Sequence, residues 1–265
     1  MPKFTSKTKT NDAAVFASSG GEGVHGESTS TAVAAIAGIQ LDTTAASNGP
    51  GVYGESRGGG AAVVGIQVNA SGNGAGVYGE CIGSGHAIAG IQKNPTSPGA
   101  GVYGEHIAGL TAGFFRGNVI VTGDVSFPGA DCAEEFTVKE EVLADPGTVM
   151  ALSGTGELVP CDGPYEKKVV GVVAGAGSLR SGIIMGKQEE GAFRRQPIAL
   201  VGTVYCKVDA SYGPIEVGDL LTSSDTQGHA MKASDPTRAF GAVIGKAMAP
   251  LDEGLGLIPI LIALQ

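Results

Sequence analysis

The chain has 265 residues, a formal net charge of −9 and 45 glycines, with 5% aromatic residues and no tryptophan. That acidic balance argues against binding nucleic acid or an anionic membrane surface, since both need basic surface, and no apolar run reaches the ~20 residues of a spanning helix. Glycine without a three-residue period excludes collagen. A content of 42% hydrophobic against 16% charged residues argues against disorder, which leaves a repeat fold as the expectation.

Residues 1–20 are polar, rich in Thr, Ser and Lys, and without periodicity. They read as an attachment segment that orders on a larger particle. They lack the apolar core of a secretory signal, so the chain is expected to be made in the cytoplasm and to reach a virion or extracellular particle by assembly or lysis.

Residues 21–117 repeat. The pentapeptide Gly-Val-(Tyr/His)-Gly-Glu occurs at Gly23–Glu27, Gly51–Glu55, Gly76–Glu80 and Gly101–Glu105, the last three starting 25 residues apart. Between them Gly-Ile-Gln recurs at Gly38–Gln40, Gly65–Gln67 and Gly90–Gln92. Each element is too short for a helix, and glycine costs ~1 kcal/mol inside one, whereas Val52-Tyr53 and Val63-Val64 favour strand. Asn94-Pro95-Thr96-Ser97-Pro98-Gly99 and its equivalents read as turns.

Each predicted strand offers only one or two large apolar side chains, whereas a monomeric β-solenoid, the alternative architecture, would need several per rung. A homotrimer is therefore expected, with three chains sharing one axis that glycine lets their backbones approach. Stacking would align Glu27, Glu55, Glu80 and Glu105 in one row and Gln40, Gln67 and Gln92 in another. The Glu row must face solvent or find donors, a metal-binding row being the alternative to a solvated stripe, while the Gln row could hydrogen-bond along the stack. His25, His86 and His106 share no repeat position.

Residues 118–130 form a stem: Asn118–Phe127 alternates with period two and ends at Pro128, which predicts a strand leaving the repeat. From Asp131 the glycine period stops. Residues 131–265 read as a compact β-barrel or sandwich domain with an internal duplication. Ala144–Met150 followed by Val169–Gly175 is echoed by Ile215–Leu221 followed by Ala239–Gly245, at an offset of about 70 residues. Further strands are expected at Pro197–Val208 and Leu257–Leu264. The fold class is all-β: a repetitive, trimeric β-helical shaft followed by this domain.

Enzymatic motifs fail. There is no His-Glu-x-x-His, Gly-x-Ser-x-Gly or Ser-x-x-Lys. Gly182–Lys187 and Gly241–Lys246 are each one residue short of a phosphate loop and read as strands. No cofactor is expected, and the chain is not expected to be an enzyme. The four cysteines, Cys81, Cys132, Cys161 and Cys206, lack metal-type pairing and read as reduced thiols.

Two sets of candidate residues remain. Asp131, Cys132 and Glu134, in Asp131-Cys132-Ala133-Glu134-Glu135, could serve proton transfer, peptide cleavage or metal binding, with His229 the only histidine in that half. The bland alternative is that these residues close the stem and the carboxylates are solvated. Tyr165, Tyr205 and Tyr212 could form an aromatic platform for a glycan or cell-surface receptor, the alternative being packing.

The pentapeptide repeats together with Val119-Ile120-Val121-Thr122-Gly123-Asp124-Val125 resemble the shafts of tail-fibre proteins of phages and related injection particles. Gly129-Ala130-Asp131-Cys132-Ala133-Glu134, with Val170-Gly171-Val172-Val173 downstream, resembles the start of the C-terminal domain of phage neck-appendage proteins, the intramolecular chaperone or G2 peptidase family. That pattern has Ser at Gly129 and an aromatic residue at Cys132. The resemblances imply a homotrimeric fibre or tip protein held to a larger particle by its N-terminus, its last domain trimerising or attaching to a surface. A receptor- or glycan-binding adhesin and a self-cleaving chaperone domain or hydrolase are the alternatives.

Overall fold

From Asp131 onward β-branched residues are dense and alternate with small and polar ones, and strands form there. The computed structural model describes residues 36, 37, 39, 50, 52–71, 73–108, 110–139, 144–187 and 194–263. The attachment segment 1–20, the first pentapeptide with His25 and Glu27, and Gln40 lie outside the described residues. The chain divides into two units, Met1–Phe114 and Phe115–Gln265.

The second unit is nearly all β. Its strands are β1 Asp131–Thr137, β2 Val149–Leu152, β3 Leu158–Pro160, β4 Val169–Val173 and β5 Ser181–Met185. They continue with β6 Arg195–Asp209, β7 Leu220–Ser223, β8 Ala230–Lys232, β9 Val243–Ala247 and β10 Leu255–Ala263. The hydrogen-bonded order β10-β9-β7-β8-β6, together with a β10–β6 pairing, closes a five-stranded barrel. Alternation fills it: Ile258, Ile260 and Ile262 of β10 point inward to meet Val204, Cys206 and Val208 of β6, while Leu255, Leu257 and Leu261 point out.

Strand β6 is long enough to serve two neighbourhoods. Its N-terminal half pairs antiparallel with β1 and with β4, which continues through β2 to β3, and its C-terminal half pairs with β10 and, at Val208, with β8. Strand β5 pairs only with β1, in parallel. A second core of Val138, Met150, Leu158, Val173 and Ile198 lies on the β2–β4 side.

The predicted strand over Ala239–Gly245 starts late. Ala239 instead ends a four-residue helix, α1 (Pro236–Ala239), and β9 begins at Val243. Asp235 caps that helix, accepting from Thr237 N–H at 2.9 Å, and Pro236 occupies the first turn where its missing N–H costs nothing.

The first unit differs from expectation. Among its described residues no strand ladder forms at Val52-Tyr53 or Val63-Val64, and the backbone makes one hydrogen bond to itself, Ser97 N–H to Asn94 C=O at 3.2 Å. What repeats is close approach. A Cβ on Gly54, Gly79 or Gly104 would lie 3.0, 2.9 or 3.1 Å from the carbonyl oxygen of Ala62, Ala87 or Ala112. One on Gly65 or Gly90 would overlap the carbonyl of Gly76 or Gly101. Side-chain bonds repeat too: Tyr53, Tyr78 and Tyr103 hydroxyls donate to Glu55, Glu80 and Glu105 at 3.1, 3.1 and 3.0 Å. Glu55, Glu80 and Glu105 thus find donors and stay exposed. The Gln side chains bond locally rather than along a stack: Gln67 and Gln92 accept from the N–H of Asn69 and Asn94. Large apolar side chains remain out, with Val52 71%, Tyr78 78% and Ile91 74% exposed.

Candidate functional site

The stem lies within the second unit and leads into β1. Asn118–Phe127, expected as a strand, forms no ladder among the described residues and bends at Thr122-Gly123. Contact tightens at Gly129, where a Cβ would overlap the Gly182 backbone, so only glycine lets the chain pass β5 there. Ala130 N–H then donates to Arg180 C=O at 2.8 Å, and Ala130 C=O accepts from Thr203 N–H at 3.0 Å.

A cleft of about 360 Å³ opens at this entry, lined by Val125, Phe127, Asp131, Cys132, Ile183 and Val201 among others. Asp131 lies beneath it, 5% exposed. Its Oδ1 accepts from the Ser181 hydroxyl at 2.7 Å, and its Oδ2 is buried without a partner. Burial pushes the Asp131 carboxyl above the usual carboxylate range, with the Ser181 bond opposing the shift. A buried carboxyl whose pKa is raised, beside a serine hydroxyl, is a group that can take part in proton transfer. Ser181 carried no sequence signal, because the two residues meet only through the parallel β1–β5 pairing.

The other predicted cluster members do not converge on Asp131. The burial pattern of β1 sends Asp131 and Ala133 inward, with Cys132 and Glu134 less buried. Glu135 pairs with Arg195, Oε2 to Nε at 3.7 Å, and the Arg195 Nη2 also bonds the Glu135 carbonyl. His229 sits beside Asp209 at the far end of β6. Seven residues separate Asp209 from Gly202, the partner of Asp131, or about 23 Å at the rise of a strand. No cysteine–histidine pair is assembled there.

Each of the three tyrosines has a packing partner of its own. Tyr165 holds a left-handed backbone at φ 61°, its hydroxyl accepts from Asp235 N–H at 2.8 Å, and Arg238 stacks 4.4 Å over its ring. Tyr205 packs over Gly177, whose φ of 59° and lack of Cβ make room for the ring. Tyr212 reaches Thr226 at 3.5 Å, and Thr226 donates to Asp209 at 2.6 Å.

All four cysteines are free: Cys81 is exposed, Cys132 intermediate, Cys161 and Cys206 buried. Burial, with Glu166 and Asp162 adding to it, pushes the Cys161 thiol up to about 12. Burial also raises Cys206. Neither is a nucleophile in the folded chain. Among the described residues no three metal-type side chains gather, and no helix is long and apolar enough to cross a membrane.

No family model matches the chain, and no curated protein matches it. Among solved structures, the pre-mature bacteriophage phi29 gene product 12 is similar at 13% identity and a TM-score of 0.38, over 58% of this chain and 24% of its own. The C-terminal fragment of that gene product is similar at 14% identity and a TM-score of 0.35, over 50% of this chain and all of the fragment. The head fibre gp8.5 N base of bacteriophage phi29 is similar at 17% identity and a TM-score of 0.23, over 51% and 90%. The chain spans about a quarter of the length of the first of these, and scores this low establish neither a shared activity nor a shared assembly.

Proposed function

We propose that this chain is a structural fibre or tip protein of a phage tail or related injection particle, assembled as a homotrimer and working by architecture rather than by catalysis. The observation that carries this reading is the unpaired repeat. Folded chains make about one internal hydrogen bond per residue, two-thirds of them backbone to backbone, whereas the described part of residues 52–114 makes one backbone bond. A monomeric solenoid would pair its strands within the chain. A backbone that passes glycine against carbonyl every 25 residues, with its valines and isoleucines outward, is a strand set whose partners are other copies.

The finer fold reading belongs here as well: a β-helical shaft, and a second unit built from two copies of one motif. The duplication is supported by matching bonds. Gly147 (φ 91°) donates to Val173 and Gly218 (φ 93°) to Ala247, both at 2.8 Å. Val173 N–H returns to Thr148 and Ala247 N–H to Asp219, both at 2.9 Å. Strands β2 and β7 each pair with two neighbours, through a register shift at Met150/Ala151 and at Leu221/Thr222. In this reading residues 1–20 attach to the particle, and the second unit sets the register of three identical shafts, whose non-local pairing is slow and error-prone unaided.

Light scattering of the purified full chain tests the proposal. Three chain masses are expected, and a single chain mass at micromolar concentration overturns it.

Self-cleavage at the stem is a second reading, favoured by one observation: the buried Asp131 carboxyl beside Ser181 at the stem entry. Incubating the pure chain and weighing the products under denaturing conditions separates the two. An intact chain is expected, and fragments parting near residue 130 would establish the second reading.

A further inference from the structure

Strand β10 is apolar on both faces. In an antiparallel barrel one face packs on the core and the other meets water, so the outer face should be polar. Here the outward side chains of β10 are Leu255, Leu257 and Leu261, beside inward Ile258, Ile260 and Ile262. Val201 of β6 stands opposite Ala263, and Thr203 opposite Leu261. Met248 joins them: its N–H donates to Pro259 C=O at 2.9 Å and its sulfur lies 3.8 Å from the Thr203 hydroxyl. The patch runs on into the stem, because Val201 also lines the cleft with Val125 and Phe127. Leu257, Leu261, Met248, Val201, Val125 and Phe127 are each between 44% and 63% exposed.

We infer that this continuous face, from the stem across the outside of β6, β10 and the end of β9, is where a second copy of the chain docks. The inference rests on the fibre reading above and says which surface of the second unit carries the assembly. Three features choose the occupant. The area fits: six large side chains about half exposed offer on the order of 500 Å² of apolar surface. At the usual apolar share of 56–58% that matches an interface of about 800–900 Å² per partner, the size of a stable pair. The stem supplies the second feature, since its backbone is unladdered among the described residues in the same region and an identical stem matches it in length. The third is symmetry: one rotation axis running beside the stem covers both the unladdered stem and the apolar face of every copy, as a closed homo-oligomer requires.

The test uses the full chain. Leu261→Glu and Val201→Glu each place a charge on this face without touching the barrel core, while Leu152→Glu, on β2, is the control. With wild type and control trimeric, each face variant should dissociate at about a hundredfold higher chain concentration than wild type, with an unchanged circular dichroism spectrum. If both variants stay trimeric down to the same dilution as wild type, the face is not an interface, and the fibre reading stands. If wild type itself is monomeric, the fibre reading falls and this inference with it. Leu261→Trp adds an independent readout, because the chain has no other tryptophan. Its emission in the trimer should be blue-shifted and should move to the water-exposed position on dissociation. A water-exposed emission in the intact trimer overturns the inference even if the charge variants aggregate.

Discussion

Replacing Gly245 by alanine sets a methyl group against the backbone of a neighbouring strand. Gly245 lies in β9 opposite Ile262 of β10. The new Cβ would overlap the Leu261 carbonyl oxygen and lie 3.0 Å from the Ile262 Cα. Neither obstacle is the loose end of a side chain, so β9 and β10 must part. Overpacking costs about 1–3 kcal/mol, and a backbone obstacle in a closed ring places Gly245 at the upper end. Removing a glycine from a strand returns about 0.5–1 kcal/mol, leaving about 2 kcal/mol. With a urea slope of about 2 kcal/mol/M, the unfolding midpoint should fall by about 1 M. Gly171 of β4 meets the Ala199 carbonyl in the same way, so Gly171→Ala should cost as much if the two halves share one motif. Gly154, between β2 and β3, has nothing within 4 Å of its Cβ position, and Gly154→Ala should be neutral or gain up to ~1 kcal/mol. Equilibrium urea unfolding followed by far-ultraviolet circular dichroism compares the three. If Gly245→Ala and Gly154→Ala share a midpoint, the steric reasoning is wrong.

Asp131 makes stability depend on pH in the sense opposite to a paired carboxylate. Its carboxyl is raised in the folded chain, so the native state keeps the proton to higher pH than the unfolded state does. Stability therefore falls as pH climbs from the ordinary Asp value through the raised one. Asp131→Asn should remove that fall, its advantage over wild type growing across the window, and parallel pH profiles of thermal midpoint would contradict this. Thiol chemistry gives a further check: iodoacetamide should leave Cys161 and Cys206 unmodified until the chain unfolds, given their burial and raised thiols. Rapid labelling of Cys206 in native protein would show that the barrel core is open.

That residues 131–265 form a β domain was legible because period-two alternation survives there, but whether it closes as a barrel or stacks as a sandwich was not, since closure depends on the non-local β10–β6 pairing. Pro197–Val208 falls inside β6 and Leu257–Leu264 largely coincides with β10. Helix α1 was hidden: four residues show no periodicity, and only the Asp235-Pro236 cap signals it. In the repeat, Val52-Tyr53 has strand propensity without a ladder, because propensity is local and no paired backbone lies beside it among the described residues. At the stem entry the sequence pointed to Asp131 but grouped it with Cys132 and Glu134, its neighbours in sequence. Alternation along β1 separates them, and the partner Asp131 does find, Ser181, is 50 residues away.

The placement of β1 has a mechanical consequence. Tension along the stem would reach the paired strands at Asp131 and run along β1, which is joined to β6 by a seven-residue antiparallel register from Asp131↔Gly202 to Thr137↔Arg195. A pull along the strand axis loads those rungs together in shear rather than peeling them singly. Because β6 continues without a break into the barrel wall, the load passes through covalent backbone to the most buried part of the unit. The small β2–β4 sheet hangs off that path, free to yield without cutting it.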